Sequence, residues 1–507
     1  MELGLSKKTI RHFITVMDTV KYCEETMETI VPDSLPDAVR VLETQGVVMI
    51  RDKELSDGRA TVSGVVELTA VYTPEGEGTA KRITQTIPFK ASCDGGDVDT
   101  ECELVAQAQL VNGEMRLLNP RKMLGRVNVA VAFAVYAPRE TEITESVESA
   151  RDVETLMTTV KLTPVISVSE RTVSLSDDLE LGGGKGAAEE ILASRVSIVP
   201  GECKFVGAKG VVKGAVGLDV LYLTAEDGSA ASAYFELPFT QIIELDREPA
   251  DAMAQVEFSL TGYSVELNEN SAGRGIAAAF YITAQTVVSE QREVMVLEDL
   301  YSTAADTEVS RVSREVTSGK SCCQVRRSIR ETIETDTAAI SVASVKADVN
   351  SVGVDATAFP AVLSGKLTAL VLYVDENNML KGVEEQFTIE AEVPLEEGQS
   401  ICSVKAYVEP GAYALPMAGG VELRLELVFD YCVCSCGSVT MVESAKVLDE
   451  RTGDMPSVVL RSVHGERLWD VAKEYRACPD AIAEINSVQG DVLPDDGRLL
   501  LIPRKRA

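Results

Sequence analysis

The chain of 507 residues is long enough for three or four domains, each able to bury its own core. Its 80 Asp and Glu against 48 Lys and Arg give a formal charge of −32, a field that repels nucleic acid and anionic lipid and argues against either as a partner. At 45% hydrophobic, with no apolar run long enough to span a bilayer, the chain reads as folded globular protein without membrane insertion.

Taken in order, residues 1–30 form a leader in which Lys7, Lys8 and Arg11 precede an apolar run, 13–17, that ends at Asp18. This run is too short for an export signal. Eleven cysteines without framework spacing likewise suit a reducing compartment, so a cytoplasmic location is expected. The 10–20 portion of the leader alternates as a strand does and is expected to pair with a later domain.

From residue 31 the chain repeats itself. Gly64, Gly214 and Gly365 stand 150 and 151 residues apart, and each lies eight residues before a tyrosine: Tyr72, Tyr222 and Tyr373. Self-similarity at a fixed long period signals duplicated domains. Counting in twos from each glycine gives Val62, Val66, Leu68 and Ala70, then Val212, Val216, Leu218 and Val220, then Leu363, Leu367, Ala369 and Val371. One apolar strand face is thus kept in register three times.

Turn signals follow each tyrosine: Pro74-Glu75-Gly76, Asp227-Gly228 and Asn377-Asn378. A returning strand should then bring Phe89, Phe239 and Phe387, which lie 17, 17 and 14 residues beyond the tyrosines. Glycine inside a strand points to close backbone approach rather than chemistry. In the first copy Asn112-Gly113 reads as a two-residue hairpin turn.

The expected boundaries are 31–137, 188–288 and 334–433 for the three repeats, with connectors at 138–187 and 289–333. The first connector closes in Gly182–Gly184, a flexible run. The connectors belong to the duplicated unit, because Leu156, Val165-x-x-Val168-Ser169 and Ser174 recur 144 residues later as Leu300, Val309-x-x-Val312-Ser313 and Ser318.

Residues 434–456, with Gly437, Gly453 and Pro456, read as a linker. After it the composition shifts: 457–507 holds eight basic and eight acidic residues, so the preceding chain carries the whole −32. The segment reads strand, helix, helix, strand. Residues 459–463 alternate, Leu468, Val471, Ala472 and Tyr475 share one helix face, Pro479 suits the first turn of a second helix with Ile482 and Ile485, and 499–502 ends at Pro503. The expected fold is mainly β: three tandem β-sandwich-like repeat domains with a small C-terminal βααβ module.

Candidate chemistry is sparse. His12 and His464, the two histidines, lie in different segments and leave little material for a nucleophilic triad, so no catalytic residue is assigned. Cys432, Cys434 and Cys436 form C-x-C-x-C on one strand face. Thiolates at that spacing can ligate a soft metal, pack as small apolar groups, or cross-link on oxidation. No further ligand pair stands near them, so neither a metal nor another cofactor is expected.

The segment Val463-x-Gly465-Glu466-Arg467-Leu468-Trp469-Asp470-Val471-Ala472-x-x-Tyr475, with Ile482-x-x-Ile485-Asn486 and Leu499-x-Leu501-Ile502-Pro503, resembles a LysM domain. That resemblance implies binding to N-acetylglucosamine polymers such as peptidoglycan. The family's Gly-Asp-Thr-Leu loop is here Gly465-Glu466-Arg467-Leu468, which removes the helix-capping threonine and about 1 kcal/mol of capping, and its Gly-Gln is Gly497-Arg498.

Three β repeats followed by such a module together resemble the SipL-like spore-envelope assembly family, whose repeats are called SPOCS domains. The resemblance implies a non-enzymatic scaffold in the mother cell at the forespore surface. Its LysM-like module would grip a coat-basement ATPase of the stage IV sporulation protein A type, with peptidoglycan as the alternative partner. The candidate groove is flanked by Gly465, Glu466, Arg467 and Leu468 on one loop and by Asn486, Asp491, Val492, Leu493 and Pro494 on the other, beside Trp469. Charges around an apolar centre suit a protein interface better than a neutral sugar. Trp469 and Leu493 are expected at its centre, with Arg467 setting specificity.

Overall fold

Strands of alternating burial dominate a computed structural model that describes residues 2–76, 79–148, 152–377, 379–448 and 458–504. In the first repeat Ala38–Ser56, Arg59–Pro74 and Lys81–Asp94 form an antiparallel meander. It packs on a second sheet in which the closing strand Lys122–Val147 lies between the leader Leu5–Ile30 and a fifth strand, Glu103–Asn119.

The second and third repeats have the same order. Their meanders are Ala188–Val206, Lys209–Thr224 and Ala230–Glu244, then Ala339–Asp355, Ala361–Asp375 and Leu380–Val393. All fifteen residues of the predicted apolar faces, tyrosines included, are buried between the two sheets of their sandwiches. The mainly β fold of three sandwiches with a small helical module is therefore what the chain adopts.

Glycine serves close approach, as expected, but in two ways. A Cβ on Gly64 or Gly214 would stand 2.7 or 2.6 Å from the ring of Phe89 or Phe239, the residue paired with it across the meander. In the third repeat Phe387 has slipped to pair with Leu367, and the space over Gly365 is taken by Phe429 from the opposite sheet, at 3.2 Å. Asn112-Gly113 is not a turn. Glu103–Asn119 runs straight through it with a bulge, because the bare Gly113 backbone makes room for Leu110 and Leu68 between the sheets.

The stretches read as leader and connectors are strands. Leu5–Ile30 pairs along its length with Lys122–Val147 of its own repeat and meets the second repeat only at Phe13, which pairs with Val165 and joins the two repeats in one sheet. Val153–Leu162 and Val165–Glu180 form the leader of the second repeat, and Thr307–Glu334 that of the third. Gly182–Gly184 lies in the turn before the second meander. Residues 434–447 continue the closing strand Gly420–Val447 and Leu448 follows it, its amide bonded to Asp306 O; 449–456 with Gly453 and Pro456, and Asn378 of the third turn, lie outside the described residues.

Leader and closing strands therefore make three long two-stranded ribbons. In the second repeat the ribbon is broken at Pro164, which has no N–H to give to a ladder, so its closing strand is split into Gly275–Glu290 and Arg292–Ser302. Glu290, buried at this break, accepts from the Ala250 amide (3.0 Å) and from the guanidinium groups of Arg247 (Nη1, 2.8 Å) and Arg292 (Nε, 3.0 Å). The Arg247 hydrogen bond in particular holds its carboxyl down to about 2, against the opposing effect of burial.

The repeats share further cores. Leu42, Leu192 and Ala343 are the residues bulged out of register in the first strand of each meander, and they meet beside Val71, Leu221 and Leu372. A bulge re-aims a side chain; here the same bulge, at intervals of 150 and 151 residues, turns one apolar group from each repeat into a common centre. The far ends of the three ribbons pack likewise around Leu3, Leu297, Leu300, Val442 and Ala445, and Thr144 Oγ1 donates to Val442 O at 2.7 Å. Among the described residues no helix is long and apolar enough to cross a membrane.

Candidate functional site

The C-terminal module consists of Val458–Ser462, helix α1 (Leu468–Tyr475), helix α2 (Pro479–Asn486) and Leu499–Pro503, with its two strands paired antiparallel. Leu468, Val471 and Ala472 of α1 and Ile482 of α2 fill the space above that pair together with Val463, Leu500 and Ile502. Arg467 stands at the N-cap of α1 and makes no side-chain cap bond, as its chemistry dictates.

The two loops expected to flank a groove are fastened to each other. Leu468 N donates to Asp491 O at 2.7 Å and Leu493 N to Glu466 O at 2.8 Å, while Arg467 Nε reaches Asp491 Oδ2 at 3.1 Å. Gly465 makes the approach possible with φ at +80°, a left-handed conformation that favours glycine. The Glu466 carboxylate turns back to accept from His464 N (2.6 Å) and Arg461 Nη2 (3.1 Å), and the His464 backbone bond holds its carboxyl below the usual carboxylate range.

The predicted groove residues therefore divide. Gly465, Asp491 and Val492 are exposed, Glu466, Arg467 and Pro494 half-buried, and Leu468 and Leu493 buried. Asn486 belongs to the scaffold, because its side-chain amide donates to Ile482 O (2.8 Å) and Leu501 O (2.7 Å) and accepts from Leu501 N (2.8 Å), tying α2 to the last strand.

Trp469 is only 5% exposed, and what covers it is the second repeat. Its indole Nε1 donates to Asp299 Oδ2 at 2.9 Å, and its ring meets Tyr301 edge to face at 4.9 Å between centroids. Tyr301 Oη donates to Ala477 O at 2.6 Å. Lys473, four residues beyond Trp469 on α1, places Nζ 2.6 and 2.8 Å from the two Asp299 oxygens, and Arg311 of the third leader also pairs with Asp299.

Burial alone would raise the Asp299 carboxyl, but hydrogen bonds from Lys473, Trp469 and Arg311 outweigh it and hold the group charged, below the usual range. A second ion pair joins Arg476 to Asp306. Asp299 and Tyr301 both reach the module because Glu298 is bulged out of the ladder with Leu156 and Met157. That bulge keeps Leu297 and Leu300 in the ribbon core while Tyr301 packs among the module's apolar residues.

Sequence reasoning placed Trp469 at the centre of an interface and missed the residues that fill it. Lys473 had a local signal, one helical turn from Trp469 on the same face. Asp299 and Tyr301 had none, since their contact with the module spans 170 and 176 residues of sequence.

The cysteine cluster lies in the third ribbon. Cys432 is joined by a disulfide to Cys322, its directly opposed residue on the leader, so one of the eleven cysteines expected to stay reduced has paired with another. Cys434 is buried and free, and Cys436 is exposed. Burial, followed by the neighbouring Cys402, pushes the Cys434 thiol above its ordinary value. Among the described residues no group of three or more potential ligands is placed to hold a metal ion.

Residues 37–116 and 187–268 match the family model described as SipL, SPOCS domain. These segments span the meander and the fifth strand of the first and second repeats. No curated protein and no solved structure matches the chain.

Proposed function

We propose, for a chain that carries two SPOCS domains of the SipL type, that it is a non-enzymatic scaffold or adaptor in assembly of the bacterial endospore coat. Its βααβ module, LysM-like in order and loop spacing, would dock a coat-basement protein of the stage IV sporulation protein A type in the mother cell, at the forespore surface. The observation that carries this reading is the SPOCS match itself, a sporulation-related domain family.

One feature of the fold supports it. The three sandwiches bury apolar side chains where they meet one another, as expected of parts that hold one another in place.

The test is calorimetry of the intact chain against a purified coat-basement ATPase and against chitin oligomers. Saturable binding to the ATPase, with none to the oligomers, is the expected result. Tight binding to the oligomers with no heat from the ATPase would overturn the reading in favour of a cell-wall anchor.

A further inference from the structure

We infer that the face of α1 around Trp469 and Lys473, with the Ala477 carbonyl beside it, is a receptor for an extended strand bearing a carboxylate and, two residues on, a tyrosine, and that this chain fills it in cis with Asp299 and Tyr301. The inference rests on the reading that the module docks a protein, and it names the chemistry of the docked segment.

Each recognition element is specific, and Asp299, Tyr301 and Trp469 are buried while Lys473 is half-buried. The carboxylate of Asp299 takes an indole N–H and an ammonium group, two donors aimed at one site, which a neutral amide would not satisfy. The phenol of Tyr301 gives its ring to Trp469 and its hydroxyl to the Ala477 carbonyl just beyond α1, so a phenylalanine would keep only half the contact. Both side chains leave the same strand two residues apart, as the alternation of an extended segment requires.

The module's share of the site is continuous with its own core, where Leu493 is buried. The ribbon, by contrast, keeps a separate core around Leu297 and Leu300 that does not depend on the module. Removing Asp299 and Tyr301 therefore vacates the receptor, taking one ring from the module's core and leaving the ribbon core intact. A partner presenting the same Asp-x-Tyr pattern on an exposed strand would compete for it, and its apparent affinity is lowered by the fraction of time the cis strand occupies the site.

Trp469 is the sole tryptophan, so its fluorescence reports the receptor directly. The experiment compares the intact chain with its Asp299→Ala/Tyr301→Ala variant, using acrylamide quenching and a labelled peptide of residues 295–304. In the variant the quenching constant should rise at least about threefold, and the peptide should bind at least about tenfold more tightly than to the parent chain, by release of the competing cis strand. A peptide with alanine at the Asp and Tyr positions should bind neither chain.

Unchanged quenching, or equal peptide affinity for the two chains, would overturn the inference. If circular dichroism shows that the double variant is misfolded, Lys473→Glu, which sets like charges against each other from the module side, must give the same rise in quenching. Failure to do so is equally decisive. A coat-basement ATPase that binds the parent chain as tightly as the opened one sinks the inference and leaves the docking role standing. An opened chain that takes the peptide but no coat protein does the reverse.

Discussion

Tyr222 reaches back 36 residues to hydrogen-bond the Gly186 carbonyl oxygen, Oη to O 3.4 Å, across the start of its own repeat. Tyr72 makes the same reach to Pro36 O at 3.1 Å, and Tyr373 meets Thr337 Oγ1 at 3.4 Å, each again 36 residues away. The side chain that fills each sandwich core therefore also fixes the point where the chain enters the meander. Tyr222→Ala should destabilise the protein by about 3–5 kcal/mol through loss of a large buried ring, and Tyr222→Phe by about 1 kcal/mol through loss of one hydrogen bond. Denaturant melts of the two variants would check both figures and their order.

The two ways of covering a strand glycine lead to opposite outcomes for one added methyl. A Cβ on Gly64 would meet Met49 O at 2.2 Å, so Gly64→Ala should cost about 1–3 kcal/mol by overpacking. At Gly365 the nearest atoms are the ends of Leu427 and Phe429, at 3.1 and 3.2 Å. There the gain of about 0.5–1 kcal/mol in backbone entropy offsets the crowding, and Gly365→Ala should change stability by less than about 1 kcal/mol. Parallel thermal melts distinguish the two.

Leu372, at the centre shared by the three repeats, touches a core to which each repeat contributes equivalent residues. Leu372→Ala should cost about 2–5 kcal/mol. If the common centre couples the repeats, calorimetry will show one transition in the parent chain that moves down as a unit, rather than a new early transition belonging to the third repeat.

Glu290 gives the chain an acid-sensitive point. Its folded-state carboxyl lies at about 2, well below its ordinary value, so its contribution is fully present above the usual carboxylate range and is lost as pH falls through that value. Glu290→Gln should cost about 1–3 kcal/mol at neutral pH, where the charged hydrogen bonds are lost, and little at pH 2. Stability measured across pH 2 to 7 should be flatter for the variant than for the parent.

The glycine-to-tyrosine strands were legible in the sequence because each is the middle strand of a meander with one buried face, and burial writes period two into the residues. Leaders such as Thr307–Glu334 were not, because most of their side chains are exposed and carry Glu, Ser and Arg without a hydrophobic period. They read as connectors for that reason. The βααβ module was legible from local spacing, down to Pro479 at the start of α2 and the uncapped Arg467. Asn486 misled, since a polar residue beside a loop reads as ligand-facing when its bonds run to backbone on another element. The cover over Trp469 could not be read at all, because complementarity between two surfaces leaves no periodic trace in either.

The amide of Leu3 donates to the carbonyl oxygen of Ala445, so the first ribbon is closed off by the last. During synthesis at roughly 5–20 residues per second, the leader must wait on the order of half a minute for that partner to emerge. Each sandwich can form as soon as its own closing strand appears, but the ribbon ends cannot gather until the third is made. For that interval apolar groups such as Leu3 and Leu297 lack their final neighbours in a crowded cell. The nascent chain thus has a vulnerable window set by its topology, and a chaperone that shields ribbon ends would act on it before the fold is complete.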